Sequence, residues 1–181
     1  SKANEPNPPQ QKSYIQTQAG SAAIQTSNVK QIYLGKTFIE RPNIHPLLPF
    51  EGDVIYEGRW GNSIRLGSTV KETGNNWSST GSNGDPITII RNGQGNQNEE
   101  GWVPITENIK NDDSSIYMTS TQKIPIEASS TKYDSYTTPP TPPDQYSGKQ
   151  IILNSGRLFF NSTANSIMFS SKTSINLNAI N

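Results

Sequence analysis

Hydrophobic residues occur in short runs along this chain, and towards the C-terminus the runs fall into step. From Gly148 onward the sequence stacks in octads: GKQIILNS (148–155), GRLFFNST (156–163), ANSIMFSS (164–171) and KTSINLNA (172–179). The fourth column holds Ile151, Phe159, Ile167 and Ile175, and the sixth holds Leu153, Asn161, Phe169 and Leu177. Positions two apart share one side of an extended backbone, so these columns predict one apolar side per octad. The first column, Gly148, Gly156, Ala164 and Lys172, is small until its last member and predicts a corner. Each octad then supplies a strand and a bend, the pattern of β-helices, prisms and spikes. The fifth column, Ile152, Phe160 and Met168, does not follow the alternation.

A three-sided coil built from one chain needs about 24 residues per turn, and about three stacked units to bury a continuous core. Four octads give little more than one turn. Three identical chains, each contributing one side, close the coil and pair the strand edges that a lone ribbon leaves open. The expected core of that homotrimer is Ile151, Leu153, Phe159, Ile167, Phe169, Ile175 and Leu177. The alternative is a two- or three-stranded meander packed on the preceding domain.

Upstream, strand-like runs are separated by turn chemistry: 31–40 (QIYLGKTFIE), 53–58 (DVIYEG), 63–70 (SIRLGSTV), 86–92 (PITIIRN) and 115–126 (SIYMTSTQKIPI). Gly61-Asn62 and Asn83-Gly84-Asp85-Pro86 read as turns. Five short strands in about a hundred residues predict a small OB-like barrel over 31–127, with a sandwich or open sheet as the competing all-β arrangement. Residues 1–30 read as an extended N-terminal arm. Residues 128–147 read as a Ser/Thr/Pro-rich linker, stiffened around Thr137-Thr138-Pro139-Pro140-Thr141-Pro142-Pro143 into a spacer. The octad-repeat segment, 148–181, is expected to be separable from the barrel.

Composition narrows the function more than the fold. Only 30% of the 181 residues are hydrophobic, with 13 Pro and 14 Gly, and mean hydropathy is −0.69. A large monomeric core is out of reach, and no stretch keeps the 3.6-residue period of a helix. Fifteen basic residues balance fifteen acidic ones, without a basic block, which argues against nucleic acid as a partner. No apolar run approaches eighteen residues. Cysteine is absent, so disulfides and thiol chemistry are excluded.

Candidate chemistry is sparse. One His and no Cys rule out the common zinc patterns, and His45 lies in an irregular proline-bounded stretch without a nucleophile elbow to serve. Asp112-Asp113 and Glu99-Glu100 read as turns and caps, since no spaced oxygen-ligand loop accompanies them. Gly93-Gln94-Gly95 lacks the third glycine and the lysine of a phosphate loop and reads as a flexible tip. Trp60, Trp77 and Trp102 are expected to close barrel ends or make subunit contacts. No catalytic, metal or cofactor site is predicted.

The stretch 49–69, PFEGDVIYEGRWGNSIRLGST, resembles the OB domain of central spike proteins from contractile-tailed bacteriophages, as do GDPITII (84–90) and IYMTSTQ (116–122). The octads from Gly156 are similar to the start of that family's trimeric C-terminal β-helix. The resemblance covers about 31–126 and 148–181, and extends to the valine-glycine-repeat spikes of type VI secretion. It implies a structural virion protein of the tail baseplate: a homotrimer on a hub protein, near the tail tube, with a spike-tip protein at its far end and transient contact with the host envelope. Some members carry a muramidase domain between barrel and β-helix. Here only the Pro-rich linker occupies that place, so no lytic activity is carried over, and the chain is expected not to be an enzyme. The competing class is a glycan-binding or tail-fibre-like β module.

Overall fold

Four of the strand-like runs and the first octad form a single antiparallel sheet. The structure, a computed structural model, describes residues 43–70, 77, 84–95, 102–130 and 139–179. All of these belong to the unit Arg41–Asn181. The expected N-terminal arm and the run at 31–40 lie outside the described residues, as does Glu99-Glu100.

The strands are β1 (Val54–Glu57), β2 (Ser63–Ser68), β3 (Pro86–Asn92), β4 (Ser114–Thr119) and β5 (Gln150–Ser155), in the spatial order β1-β2-β3-β4-β5. Every neighbouring pair is antiparallel. The described part of the chain is thus all-β and without helices. Its sheet is open, because β1 and β5 do not pair with each other. Sequence patterning locates β1 to β4 closely, although the run expected over 115–126 stops pairing at Thr119. The fifth strand is the first octad, so the boundary at 147/148 runs through the sheet. Ile152, the residue that breaks the octad alternation, packs against the core.

Turn chemistry explains two of the hairpins. Gly61 has φ 84°, and its amide donates to the Gly58 carbonyl while Gly58 donates to Asn62, closing β1 onto β2. A Cβ at Gly61 would sit 3.0 Å from Gln94 Cγ and 3.2 Å from Ile44 Cδ1, so both backbone angle and space select glycine. Gly84 (φ 84°) and Asp85 exchange hydrogen bonds with Thr69 at 2.9 and 2.8 Å, fixing the entry to β3.

Gln122, fully buried, locks this end of the sheet. Its amide donates to Thr69 Oγ1 and the Asp85 carbonyl, both at 2.9 Å, and its Oε1 accepts from the Ser120 amide at 2.9 Å. The described part of the linker is docked there too, rather than standing off as a spacer. Pro142 starts a turn that accepts the Tyr146 amide at 2.9 Å, the Pro143 carbonyl accepts from Ile124 at 3.2 Å, and Ser147 Oγ donates to Thr121.

The strand register gives each face of the sheet a definite composition. One outward row runs Tyr56–Ile64–Ile90–Ile116–Leu153, and the next runs Val54–Leu66–Thr88–Met118–Ile151. The inward face alternates with them. Ile87 and Ile89 on β3 and Tyr117 on β4 meet Trp77, Ile109 and Ile124, with Phe50, Ile126 and Ile152 at the margin. Between these apolar residues the same face carries Ser63 and Arg65 on β2, Arg91 on β3 and Ser115 on β4, all buried.

Candidate functional site

Two features qualify as sites: an ionic cluster behind the sheet and the apolar columns of the octads. Arg65 points inward from β2 and is completely buried, so its charge needs partners. Its Nε donates to both carboxylate oxygens of Glu107 at 2.8 and 3.0 Å, Nη1 pairs with Asp53, and Nη2 donates to the Leu48 carbonyl at 3.0 Å. The flat guanidinium lies 5.3 Å from the Trp77 ring centroid and 5.7 Å from that of Phe50. These two rings meet edge to face at 6.2 Å. A charge held by two carboxylates, a carbonyl and two aromatic rings is a fixed structural element.

Arg91, one strand over, is held more loosely. Nη1 reaches Asp112 Oδ1 at 3.4 Å, while Nε, Nη2 and the flanking Ser63 and Ser115 hydroxyls have no hydrogen-bond partner among the described residues. Asp112 caps its own turn, with Oδ2 accepting the Asn108 amide at 3.1 Å. Burial pushes the Asp112 carboxyl from its usual 3.8 up to about 6, against the pull of Arg91 and the Asn108 amide. Burial also raises the Tyr117 hydroxyl above its ordinary range, helped by the negative charge of Asp112 and Glu107. The cluster therefore joins β2, β3 and the 102–113 segment through charge. Its carboxylates engage the two guanidiniums, and none of them is arranged as the base of a nucleophile among the described residues.

Of the residues that the sequence offered for chemistry, His45 and Gln94 occupy structural positions. His45 is buried, its Nδ1 bonded to the Val103 carbonyl at 2.9 Å. Gly93-Gln94-Gly95 is not a flexible tip. Gln94 is buried and clasps the His45 backbone, accepting from its amide at 2.9 Å and donating to its carbonyl at 2.6 Å. Gly95 has φ 64°, and a Cβ there would come 2.0 Å from the Asn111 carbonyl oxygen. The glycine pair is legible as a turn, but its closure on His45 joins residues 49 apart and leaves no local signal. Of the tryptophans, Trp77 is core, while Trp60 and Trp102 are exposed. Among the described residues no three His, Asp or Glu side chains gather as a metal site.

The octad residues behave differently. Ile151, Leu153, Phe159, Ile167, Phe169, Ile175 and Leu177 are all exposed in the single chain, from 42% at Leu153 to 86% at Leu177. Ile151 and Leu153 share the outward side of β5. Beyond Ser155 the described chain forms no strand, but it bends at Gly156, around Ala164 and at Lys172, the first-column positions. Within this stretch Phe160 and Phe169 meet edge to face at 6.3 Å, Arg157 lies 5.7 Å from the Phe159 ring centroid, and Asn178 Nδ2 donates to the Ser130 carbonyl at 3.4 Å. The structure does not gather the seven residues into one cluster within a single chain. No family model, curated protein or solved structure matches this chain.

Proposed function

We propose that this chain is the central-spike subunit of a contractile phage tail baseplate, a structural homotrimer without enzymatic activity. Its sheet region is read as part of an OB-like barrel seated on a hub protein near the tail tube. Its octads are read as one side of an intertwined three-chain β-helix leading to a tip protein. Contraction would drive the trimer into the host envelope, with the work supplied by the sheath.

The observation that carries this proposal is the phase agreement in the octads. Bends recur every eight residues, and the apolar columns between them are left in water. Exposed aliphatic and aromatic side chains in such density are unfavourable for a lone chain, at roughly 25 cal/mol per Å² of apolar surface left in water. Three copies, each supplying a side, bury the columns around one axis. The resemblance of 49–69 to spike OB domains points to the same assembly from a separate part of the chain.

Light scattering on the intact protein is expected to report three times 19.9 kDa. Ile167→Asp, which would place three unpaired carboxylates around the axis, is expected to abolish that species. A monomer at micromolar concentration, or a trimer indifferent to Ile167→Asp, would sink the proposal. Exposed Trp60 and Trp102 favour a second function, a glycan-binding or fibre module. Quenching of tryptophan fluorescence by cell-envelope glycans would support it.

A further inference from the structure

One strand of the sheet, β2, is patterned inside out, and the face it shares with its neighbours is apolar outside as well as within. A sheet with one solvated face ordinarily turns aliphatic side chains to the core and charged ones to water. On β2 the reverse holds: Ser63 and Arg65 are buried while Ile64 and Leu66 are exposed. The two outward rows carry nine apolar residues and one threonine, with no charge. Uncharged residues frame them, Asn92–Ser114–Ser155 at one end and Ser68–Pro86 at the other. Even Ile90, on the central strand, is 38% exposed.

We infer that copies of this chain cover this outer face, so that the sheet is itself an intersubunit surface continuous with the octads. Three observations select a second copy as the occupant. Ile151 and Leu153 belong at once to the outward rows and to the octad columns, so the two apolar surfaces are one along the chain. The face is uncharged, so an identical face brings no unpaired charge to it. Its area is also too small to act alone. Strands about 4.8 Å apart and rows two residues apart give on the order of 300 Å² in plan, whereas stable interfaces bury about 800 Å² per partner. The octad columns, on the same chain, supply the remainder. The inference rests on the trimer proposed above for the number of copies, and on the register for the face.

The absence of cysteine allows a direct test on the full chain, with single thiols read by a negatively charged methanethiosulfonate reagent. Thr88→Cys reports the middle of the sheet face, and Asn161→Cys reports the octad columns. In the assembled protein the Thr88→Cys thiol is expected to react at least tenfold more slowly than in denaturant. Adding Ile64→Lys with Ile90→Lys should restore its reactivity and lower the mass measured by light scattering. The strand signal in circular dichroism checks that the sheet persists; if it does not, Ile64→Thr with Ile90→Thr, which keeps β-branched shape, replaces the lysine pair. A freely reacting Thr88→Cys in an oligomer whose Asn161→Cys is protected would overturn the inference and leave the spike intact. Protection of Thr88→Cys in a monomer would overturn it as well, because the chain would then be covering its own face. So would a substituted pair that keeps both mass and protection. Protection at Thr88→Cys in an oligomer with a reactive Asn161→Cys would uphold the sheet contact and refute the β-helix.

Discussion

Arg65 and Arg91 are one strand apart and both buried, yet they are held very differently. Arg65 is saturated by two carboxylates, so Arg65→Met leaves Asp53 and Glu107 buried without a cation and should cost about 3 to 5 kcal/mol. Arg91→Met strands only Asp112, whose carboxyl is already raised to about 6 by burial and avoids the penalty by taking a proton. Its cost in urea unfolding should be smaller and should shrink as pH falls below 6; equal costs for the two variants at pH 5 would refute this ranking. Asp112 also gives the protein a pH signature. Its folded pKa lies above its unfolded one, so the folded state holds the extra proton between them. The stabilisation is therefore full below about pH 4 and lost as pH rises through 6. A tenfold difference in proton affinity between the two states is worth about 1.4 kcal/mol. On that scale the wild type should lose roughly 2 to 3 kcal/mol more than Asp112→Asn across the window, judged from urea midpoints at each pH. None of these roles is legible in the sequence. The alternation SIRLGS on β2, taken alone, points Ile64 and Leu66 inward, because Arg65's partner Glu107 lies 42 residues away. Only tertiary pairing makes a buried arginine tolerable.

At the scale of elements, strand positions are legible and strand partnership is not. Pro86–Asn92 is readable to the residue because Gly84-Asp85-Pro86 punctuates one end and Gly93 the other. The first octad looks like the opening of the repeat, since GKQIILNS shares its spacing with the three that follow. Pairing decides otherwise: β4 offers a free edge, and the Pro142–Tyr146 turn returns the chain to it. Ile152 then serves the core behind the sheet while Ile151 and Leu153 keep the repeat's outward side. Two truncations separate these roles. Ending the chain after Ser155 keeps all five strands, so the sheet should still unfold cooperatively, its midpoint lowered only by what the lost assembly contributes. Ending it at Ser147 uncovers β4 and removes Ile152 from the core, with an expected loss of at least about 2 kcal/mol. Equal midpoints would show β5 to be dispensable.

For the whole molecule, the distribution of polarity matters more than its total. A chain only 30% hydrophobic places charged residues inside its sheet and leaves aliphatics outside it, which is workable when the outside belongs to an assembly. The octads make that need legible in the sequence; the sheet face does not, because Thr88 and Ile90 look no different from Ile87 and Ile89 until register assigns them sides. On the structural role proposed above, purified protein should leave a peptidoglycan suspension turbid; clearing by preparations free of contaminating lysozyme would contradict it. β5, shared by the sheet and the octads, also sets how the trimer proposed above would bear load. A pull on the chain beyond Ser155 directed along β5 would draw that strand lengthwise past β4, so that the ladder from Ser114–Ser155 to Thr119–Gln150 is sheared. Its hydrogen bonds then resist together instead of opening one at a time as they would if peeled. In the proposed trimer the join between sheet and octads is then a mechanical clamp, and under tension along the strands rupture should begin elsewhere in the molecule.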